Sequence, residues 1–491
     1  MSKRVAVIDI GSNSVRMVVY EKSSRFAFHI LHEAKSRVRL SQNAYQNSGI
    51  LQEIPMQRAF DVLENFSSII SSFKARKVLC VATSALRDAP NKKDFINRVK
   101  NSLDLQIKVI DGQREAYLGA IACANLLPNL KNALSVDIGG GSTEFSLIDN
   151  KEIGLNISLN LGTVRLKELF FDNNDIDGAK KYIDEQLTQL DITDPETIIG
   201  IGGSFRAISN AILNNDNYPL QKLHAYEPNY DEFTQFLKKI LVSDEDELKK
   251  LGIKNNRLDI IKPGALILLR VFKKFKVKNL ITSGVGVREG VFLADLLRTS
   301  RDRFPPNYNT SMRYILDSHV DNITYANQLC KVAKELFDLT HQTLGIDKKH
   351  RYELAIAAKL YISGSSIHYY SLNRHSYYLI EDALEFGFTH KEIILIATLA
   401  RYAKRKLPSS EHVDKFRDLL PEIKQLNALS YLLSLSVALL SHQPRNIDFT
   451  LSFEESELKI ESKNSLYLAK ESIEKLEILK NNAINISFYN I

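Results

Sequence analysis

The sequence predicts a duplicated α/β fold over residues 1–302, with a cleft between its halves (1–128 and 129–302). An all-helical domain (310–440) and a small α/β module (441–491) follow. Three observations carry this reading. Short apolar runs alternate with amphipathic helical stretches through the first part of the chain. The string DIGSNS at 9–14 is echoed by DIGGGSTE at 137–144, each behind one apolar run and ahead of another. After RDRFPPNYN (301–309), which reads as a linker, strand-like runs give way to helical spacing.

The strand-like runs are Val5–Ile8, Phe26–Leu31, Lys77–Ala82, Ile107–Ile110, Leu134–Val136, Phe145–Ile148, Thr197–Ile201 and Leu280–Thr282. In each echoed segment a second strand follows at once (14–20 and 144–148), so each string is the turn of a β-hairpin. Glycine is expected there for positive φ and for close approach of a ligand. Met56, Ala59, Phe60, Leu63, Phe66, Ile70 and Phe73 recur at helical spacing, with Pro55 near the first turn. Beyond the linker, Ile323, Ala326, Leu329, Cys330, Ala333, Leu336, Phe337 and Leu344 mark a long amphipathic helix, and helical patterns continue to about residue 440. In the tail, Phe449, Leu451 and Phe453, then Leu458 and Ile460, then Ile484, Ile486 and Phe488 predict a hairpin, a helix and a last strand.

Composition narrows the function classes. Hydrophobic content of 44% and charged content of 25% are ordinary for a globular protein. The apolar run near the N-terminus is too short for a signal-peptide core, and no stretch approaches a membrane span, since 265–269 stops at Arg270. A cytoplasmic protein without a membrane partner is expected. Cys80, Cys123 and Cys330 are far apart among apolar neighbours, which predicts reduced, buried thiols. The net charge of +7 is modest, and the basic runs at 273–278 and 401–406 read as solvated faces. There is no Trp and no basic stripe interleaved with aromatics, so nucleic acid is not an expected partner.

The glycine-rich turns carry the chemistry. Successive backbone N–H groups in such a turn form a nest for phosphate oxygens. Gly139, Gly140, Gly141 and Ser142 offer one nest, and Gly11, Ser12, Asn13 and Ser14 another, so the two halves can grip a phosphate chain from both sides. Asp137 and Glu144 fall at the same end of the second hairpin, where they can hold hydrated Mg²⁺ beside the phosphates; Asp9 is the third metal-site candidate. Gly202, Gly203 and Ser204 sit between a strand and a helix, a ready nucleotide or distal phosphate contact. The stretch 282–290 has the same layout.

Taken in order, VIDIGSNSVR (7–16), ATSALRDAPN (82–91), VIDGQREA (109–116), DIGGGSTE (137–144), GIGGS (200–204) and SGVGVREG (283–290) resemble the exopolyphosphatase / guanosine pentaphosphate phosphatase family. That family belongs to the actin, sugar kinase and Hsp70 superfamily. The resemblance implies two actin-like (ribonuclease H-like) ATPase-type domains. It implies a Mg²⁺-dependent phosphohydrolase that releases the terminal phosphate of inorganic polyphosphate, of pppGpp, or of both. It points to Glu115 as the catalytic residue and to Arg87 as a clamp on the phosphates. As a first-turn residue of a helix, Glu115 is expected to be kept ionised by the helix dipole and to deprotonate the attacking water. Longer family members carry an HD-like helical domain with metal-binding histidine and acid; here Tyr361 and Ile362 stand at those positions, so a degenerate domain is expected. It is expected to cover the end of a phosphate channel or to make a homodimer. Two rival readings are a sensor that binds (p)ppGpp or ATP without turnover and, further off, a small-molecule kinase of the same superfamily.

Overall fold

The computed structural model describes residues 3–404, 406–477, 479 and 484–490. The chain divides into two compact units, Met1–Tyr308 and Asn309–Ile491.

The first unit holds two five-stranded sheets of one topology. Strands β1 (Arg4–Ile10), β2 (Val15–Lys22), β3 (Phe28–Ser36), β4 (Lys77–Ala82) and β5 (Ile107–Val109) lie in the order β3-β2-β1-β4-β5. The second set, β6 (Ala133–Ile138), β7 (Thr143–Asp149), β8 (Glu152–Leu159), β9 (Thr197–Ile201) and β10 (Asn279–Thr282), lies in the matching order β8-β7-β6-β9-β10. In both, the first three strands form an antiparallel meander and the last two join in parallel. The doubled DIG strings are thus the first turns of two copies of one α/β sheet, as the sequence predicts.

Central strands covered on both faces read as unbroken apolar runs. Val5, Ala6, Val7 and Ile8 on β1 and Leu134 and Val136 on β6 are at most 2% exposed. Strand β8 has no such signature: EIGLNISL is largely open to solvent apart from Leu159, and the sequence does not announce it. The helix Gly112–Leu126 follows the first sheet in the chain but packs on β7 and β8 of the second. That crossing carries Glu115 from one half to the other.

The halves also meet through named contacts. Tyr20 stacks on Phe292 with ring centroids 4.2 Å apart, and its hydroxyl donates to Glu289 at 3.0 Å. Arg37 donates to both carboxylate oxygens of Asp259 (2.6 and 2.8 Å), and Arg39 to one of them at 2.9 Å.

The second unit is helical, with helices that include Ile323–Leu344, Arg351–Leu360, His390–Tyr402 and Ile423–Leu439. Its tail forms a three-stranded sheet of β11 (Phe449–Glu454), β12 (Glu457–Ser462) and β13 (Asn485–Asn490), with the helix Tyr467–Glu474 before the last strand. Tail residues Phe449, Leu458, Ile460 and Ala469 share one core with helical residues such as Leu329, Leu395 and Leu432. Among the described residues no helix is long and apolar enough to cross a membrane. Cys80 and Cys123 are buried free thiols; Cys330 is only partly buried, which corrects the expectation for that residue.

Candidate active site

The two hairpin turns are built alike. Gly11 N–H donates to Ser14 O at 3.1 Å, and Gly139 N–H donates to Ser142 O at 2.9 Å. In the second turn the carbonyls are engaged from behind: Gly139 O accepts from Thr163 N–H (3.0 Å), Gly140 O from Val164 N–H (2.8 Å) and Gly141 O from the Arg165 side chain (2.8 Å). With the Gly139 amide taken by Ser142 O, the amides this turn leaves without a backbone acceptor among the described residues are those of Gly140, Gly141 and Ser142, a run suited to a phosphate nest.

The reason for glycine in these turns differs from the expectation. None of Gly11, Gly139, Gly140 and Gly141 has positive φ. Close approach excludes side chains instead. A Cβ on Gly140 would stand 2.9 Å from Ser12 Cβ of the facing turn, and one on Gly139 2.9 Å from Ser142 O. Gly202 is the motif glycine that does need the left-handed region, with φ +84°, and a Cβ there would lie 2.6 Å from Ile138 O and 2.8 Å from Asp137 Oδ1.

The turns close around a cavity of about 120 Å³. Of the residues the sequence singles out, Asp9, Gly11, Ser12, Asn13, Ser14, Glu115, Asp137, Gly139, Gly140, Ser142, Glu144, Gly202, Gly203 and Ser204 line it. Two stand off its wall. Gly141 is packed beneath Tyr45 and Ser84. Arg87 stands behind the acid, donating to Glu115 Oε2 at 2.7 Å and to Ser142 Oγ at 3.4 Å.

Asp137 and Glu144 are directly opposite across the β6–β7 pair, and Asp9 and Arg16 hold the same two positions in β1–β2. Burial makes ionisation of the acids unfavourable. It pushes Glu144 up to about 7, with Asp137 adding to the rise while Ser158, donating at 2.8 Å, opposes it. Asp137 is pushed up to about 6 by burial, against the pull of Arg206. Asp9 is raised by burial, against Arg16 and Arg288. Glu115 is raised well above the usual carboxylate range by burial and then by Glu144, with Arg87 opposing. The expectation that the helix dipole governs Glu115 is corrected here: the residue is 7% exposed in the first turn of Gly112–Leu126, and desolvation with a neighbouring acid outweighs the dipole.

Among the described residues no three His, Cys, Asp or Glu side chains converge as a self-sufficient metal site. Mg²⁺ needs no such cage, since one or two carboxylates, water and substrate phosphate oxygens complete its shell. Buried acids facing each other on one hairpin, each with its ionised form disfavoured, fit that partial donor set.

A cluster of arginines was not assigned from the sequence. Arg16, Arg206, Arg257 and Arg288 all line the cavity. Arg206 and Arg257 are each lowered to about 10 by burial and by the other arginines. Lys35 on β3 is lowered to about 7 by partial burial and by the same four arginines. Such crowding of positive charge calls for an anion. Arg16 and Arg288 sit inside the motif strings and Arg206 two residues beyond Ser204, so proximity to the motifs was the available signal. Arg257, which ends the short 3-10 turn Asn255–Arg257 before Leu258–Phe275, had none.

Comparisons with known proteins agree with this geometry. Residues 18–299 match the Ppx/GppA phosphatase family, and residues 309–482 match Ppx/GppA phosphatase, domain III. A guanosine-5'-triphosphate,3'-diphosphate pyrophosphatase of Photobacterium profundum is 27% identical, over 93% of this chain and 91% of its own. Its Vibrio campbellii namesake is 26% identical, over 90% and 88%. Among solved structures, the Aquifex aeolicus Ppx/GppA family member is 29% identical with TM-score 0.53, covering 61% of this chain and 99% of its own. An exopolyphosphatase from Cytophaga hutchinsonii is 27% identical with TM-score 0.56, over 60% and 97%. With facing glycine-rich turns, a buried acid on the cavity wall and a family match over most of its length, the chain belongs to the Ppx/GppA phosphatase family and is a phosphohydrolase of that type.

Proposed function

We propose that the chain releases the terminal phosphate of a phosphoanhydride chain, inorganic polyphosphate or the 5′-triphosphate of pppGpp, by attack of water activated at Glu115. The observation that carries this is Glu115 itself, buried on the cavity wall between the two turns with its carboxylate held by Arg87. A carboxylate raised toward neutrality is matched to taking a proton from water. The amides of the two turns receive the terminal phosphate from opposite sides, and the arginine cluster holds the rest of the chain. Arg87 can shift between Glu115 and an arriving phosphate oxygen; when it does so, the carboxylate is free to accept the proton of a water in line with the terminal phosphorus. Asp137 and Glu144, with Asp9 near them, would hold Mg²⁺, which supplies charge neutralisation at the phosphates when bound.

Both substrates present the same terminal group. The relatives named for guanosine-5'-triphosphate,3'-diphosphate and the structure named exopolyphosphatase support one each. The deciding experiment measures phosphate release from long-chain polyphosphate and from pppGpp side by side, with Mg²⁺, for the wild type and Glu115→Gln. We expect release from at least one substrate, with the variant retaining affinity and losing about 10² to 10⁴ in rate. A variant rate near wild type removes Glu115 as the base. Tight binding with no release of either substrate by the wild type replaces the hydrolase reading with a sensor.

A further inference from the structure

The second unit contains a cavity that the proposed reaction leaves unused. Its volume is about 520 Å³, in the ~300–1,000 Å³ range of small-molecule sites. Four tyrosines line it: Tyr325, Tyr361, Tyr369 and Tyr370. Tyr361 is the residue standing where the HD-like pattern would place a metal ligand, so aromatic surface replaces a metal centre there. Tyr325 and Tyr361 are 8% and 5% exposed, whereas Tyr369 and Tyr370 are 66% and 81% exposed. Rings left this open serve no core. Tyr369 and Tyr370 meet edge to face with centroids 5.7 Å apart. Burial raises the phenols of Tyr325 and Tyr361, and nearby rings add to the rise, Tyr369 at both and Tyr325 at Tyr361. Among the described residues the Tyr361 hydroxyl has no hydrogen-bond partner, and its oxygen is not sealed from solvent. Asp321, also on the wall, adds an acceptor.

A second cavity of about 390 Å³ shares Lys404 with the first and is lined otherwise by Asn373, Arg374, Arg401, Tyr402 and Lys406. No acid lines it, and none of its four cations pairs with a described carboxylate. Arg401 is set by its neighbours, 5.0 Å over the Tyr377 ring and 5.6 Å over Tyr402. Cations alone would suit any polyanion, and tyrosines alone any planar ring. Joined through Lys404, the two describe one ligand with both parts.

We propose that the second unit binds a nucleoside polyphosphate, with the base among Tyr325, Tyr361, Tyr369 and Tyr370 and the phosphates along Arg374, Arg401, Lys404 and Lys406. None of these residues lines the cavity of the first unit, and binding here does not depend on the reaction assigned there.

The test is calorimetric titration of the full chain with GDP, ADP and inorganic tripolyphosphate. The wild type is compared with a Tyr369→Ala/Tyr370→Ala variant, whose exposed rings are removable without disturbing the core, and with Lys404→Ala/Lys406→Ala. Expected is a nucleotide site whose affinity for GDP or ADP falls tenfold or more in both variants, while phosphate release from polyphosphate stays within twofold of wild type. Tripolyphosphate binding should ignore the tyrosines. Nucleotide binding that is absent from the wild type, or unchanged in the tyrosine variant, overturns the proposal. So does an equal loss of tripolyphosphate in the tyrosine variant, because the rings would then not be reading a base.

Discussion

At the scale of single residues, the cleft sets buried acids against buried arginines, and its pH response follows from that. Glu144 is pushed to about 7 in the fold against 4.5 as the ordinary value. Between those two pH values the native state binds more protons than the unfolded chain, so this group's contribution falls as pH rises through the window. Glu144→Gln should flatten that slope in metal-free buffer, as read by thermal melts from pH 4.5 to 7.5; an unchanged slope means Glu144 titrates normally. Arg87 is held at 2.7 Å from Glu115 and is half-buried. Arg87→Lys keeps the charge but loses the planar fork that can bridge Glu115 and phosphate. We expect its kcat to fall by about tenfold or more with a smaller change in KM, and equal kcat values for the two proteins would assign Arg87 to structure only. Residue types in the motif strings were legible in the sequence because glycine, serine and acid recur beside apolar runs. Their protonation was not, because desolvation depends on what the other half lays over Glu115 and Glu144.

At the scale of elements, the two hairpin turns face each other and their glycines act through distance. Gly140→Ala would place a methyl 2.9 Å from Ser12 Cβ and 3.4 Å from Asn13 N. Overpacking of this kind costs about 1–3 kcal/mol, and it should also raise KM by separating the turns. Adding Ser12→Gly opens the same space, so a double-mutant cycle should show recovery of stability; strict additivity would mean the turns do not touch. The helix that carries Glu115 begins at a capped end, where the Asp111 side chain accepts from Arg114 N–H at 2.7 Å. Asp111→Ala should cost about 1 kcal/mol by chemical denaturation. Most strands were readable from their apolar runs. Strand β8 was not, because an edge strand with Gly154, Asn156 and Ser158 has no buried face to impose alternation.

At the scale of the whole molecule, duplication is the main fact. Two sheets with one strand order put the same turn on either side of a cleft. Asp259 from the second half ties Arg37 and Arg39 of the first, with side chains between 25% and 39% exposed. Exposure at that level limits each pair to about 1 kcal/mol or less. Asp259→Ala should therefore lower Tm only slightly while raising the salt dependence of polyphosphate binding, since two arginines are released; a large drop in Tm would show the contact to be structural. The Aquifex aeolicus relative is covered over 99% of its own length by 61% of this chain, so the comparison includes a shorter protein of the family. A fragment of residues 1–308 is accordingly expected to fold, with a cooperative melt, and to retain phosphate release. An insoluble or inactive fragment would make the second unit part of the working enzyme.

The sequence alone determined most of the elements and their order, because apolar periodicity and glycine punctuation are local properties of the chain. It determined the doubled turn as well, because a repeat can be read without knowing where its copies lie. The tertiary structure decided what stands across from each turn. Gly140 needs to be glycine because Ser12 faces it, Arg257 joins Arg16 and Arg206 from an unmarked stretch, and Glu115 is raised because a helix begun in one half is buried against the sheet of the other. Contacts between residues from different elements leave no pattern within either segment, and in this protein they set the charge state of the cleft.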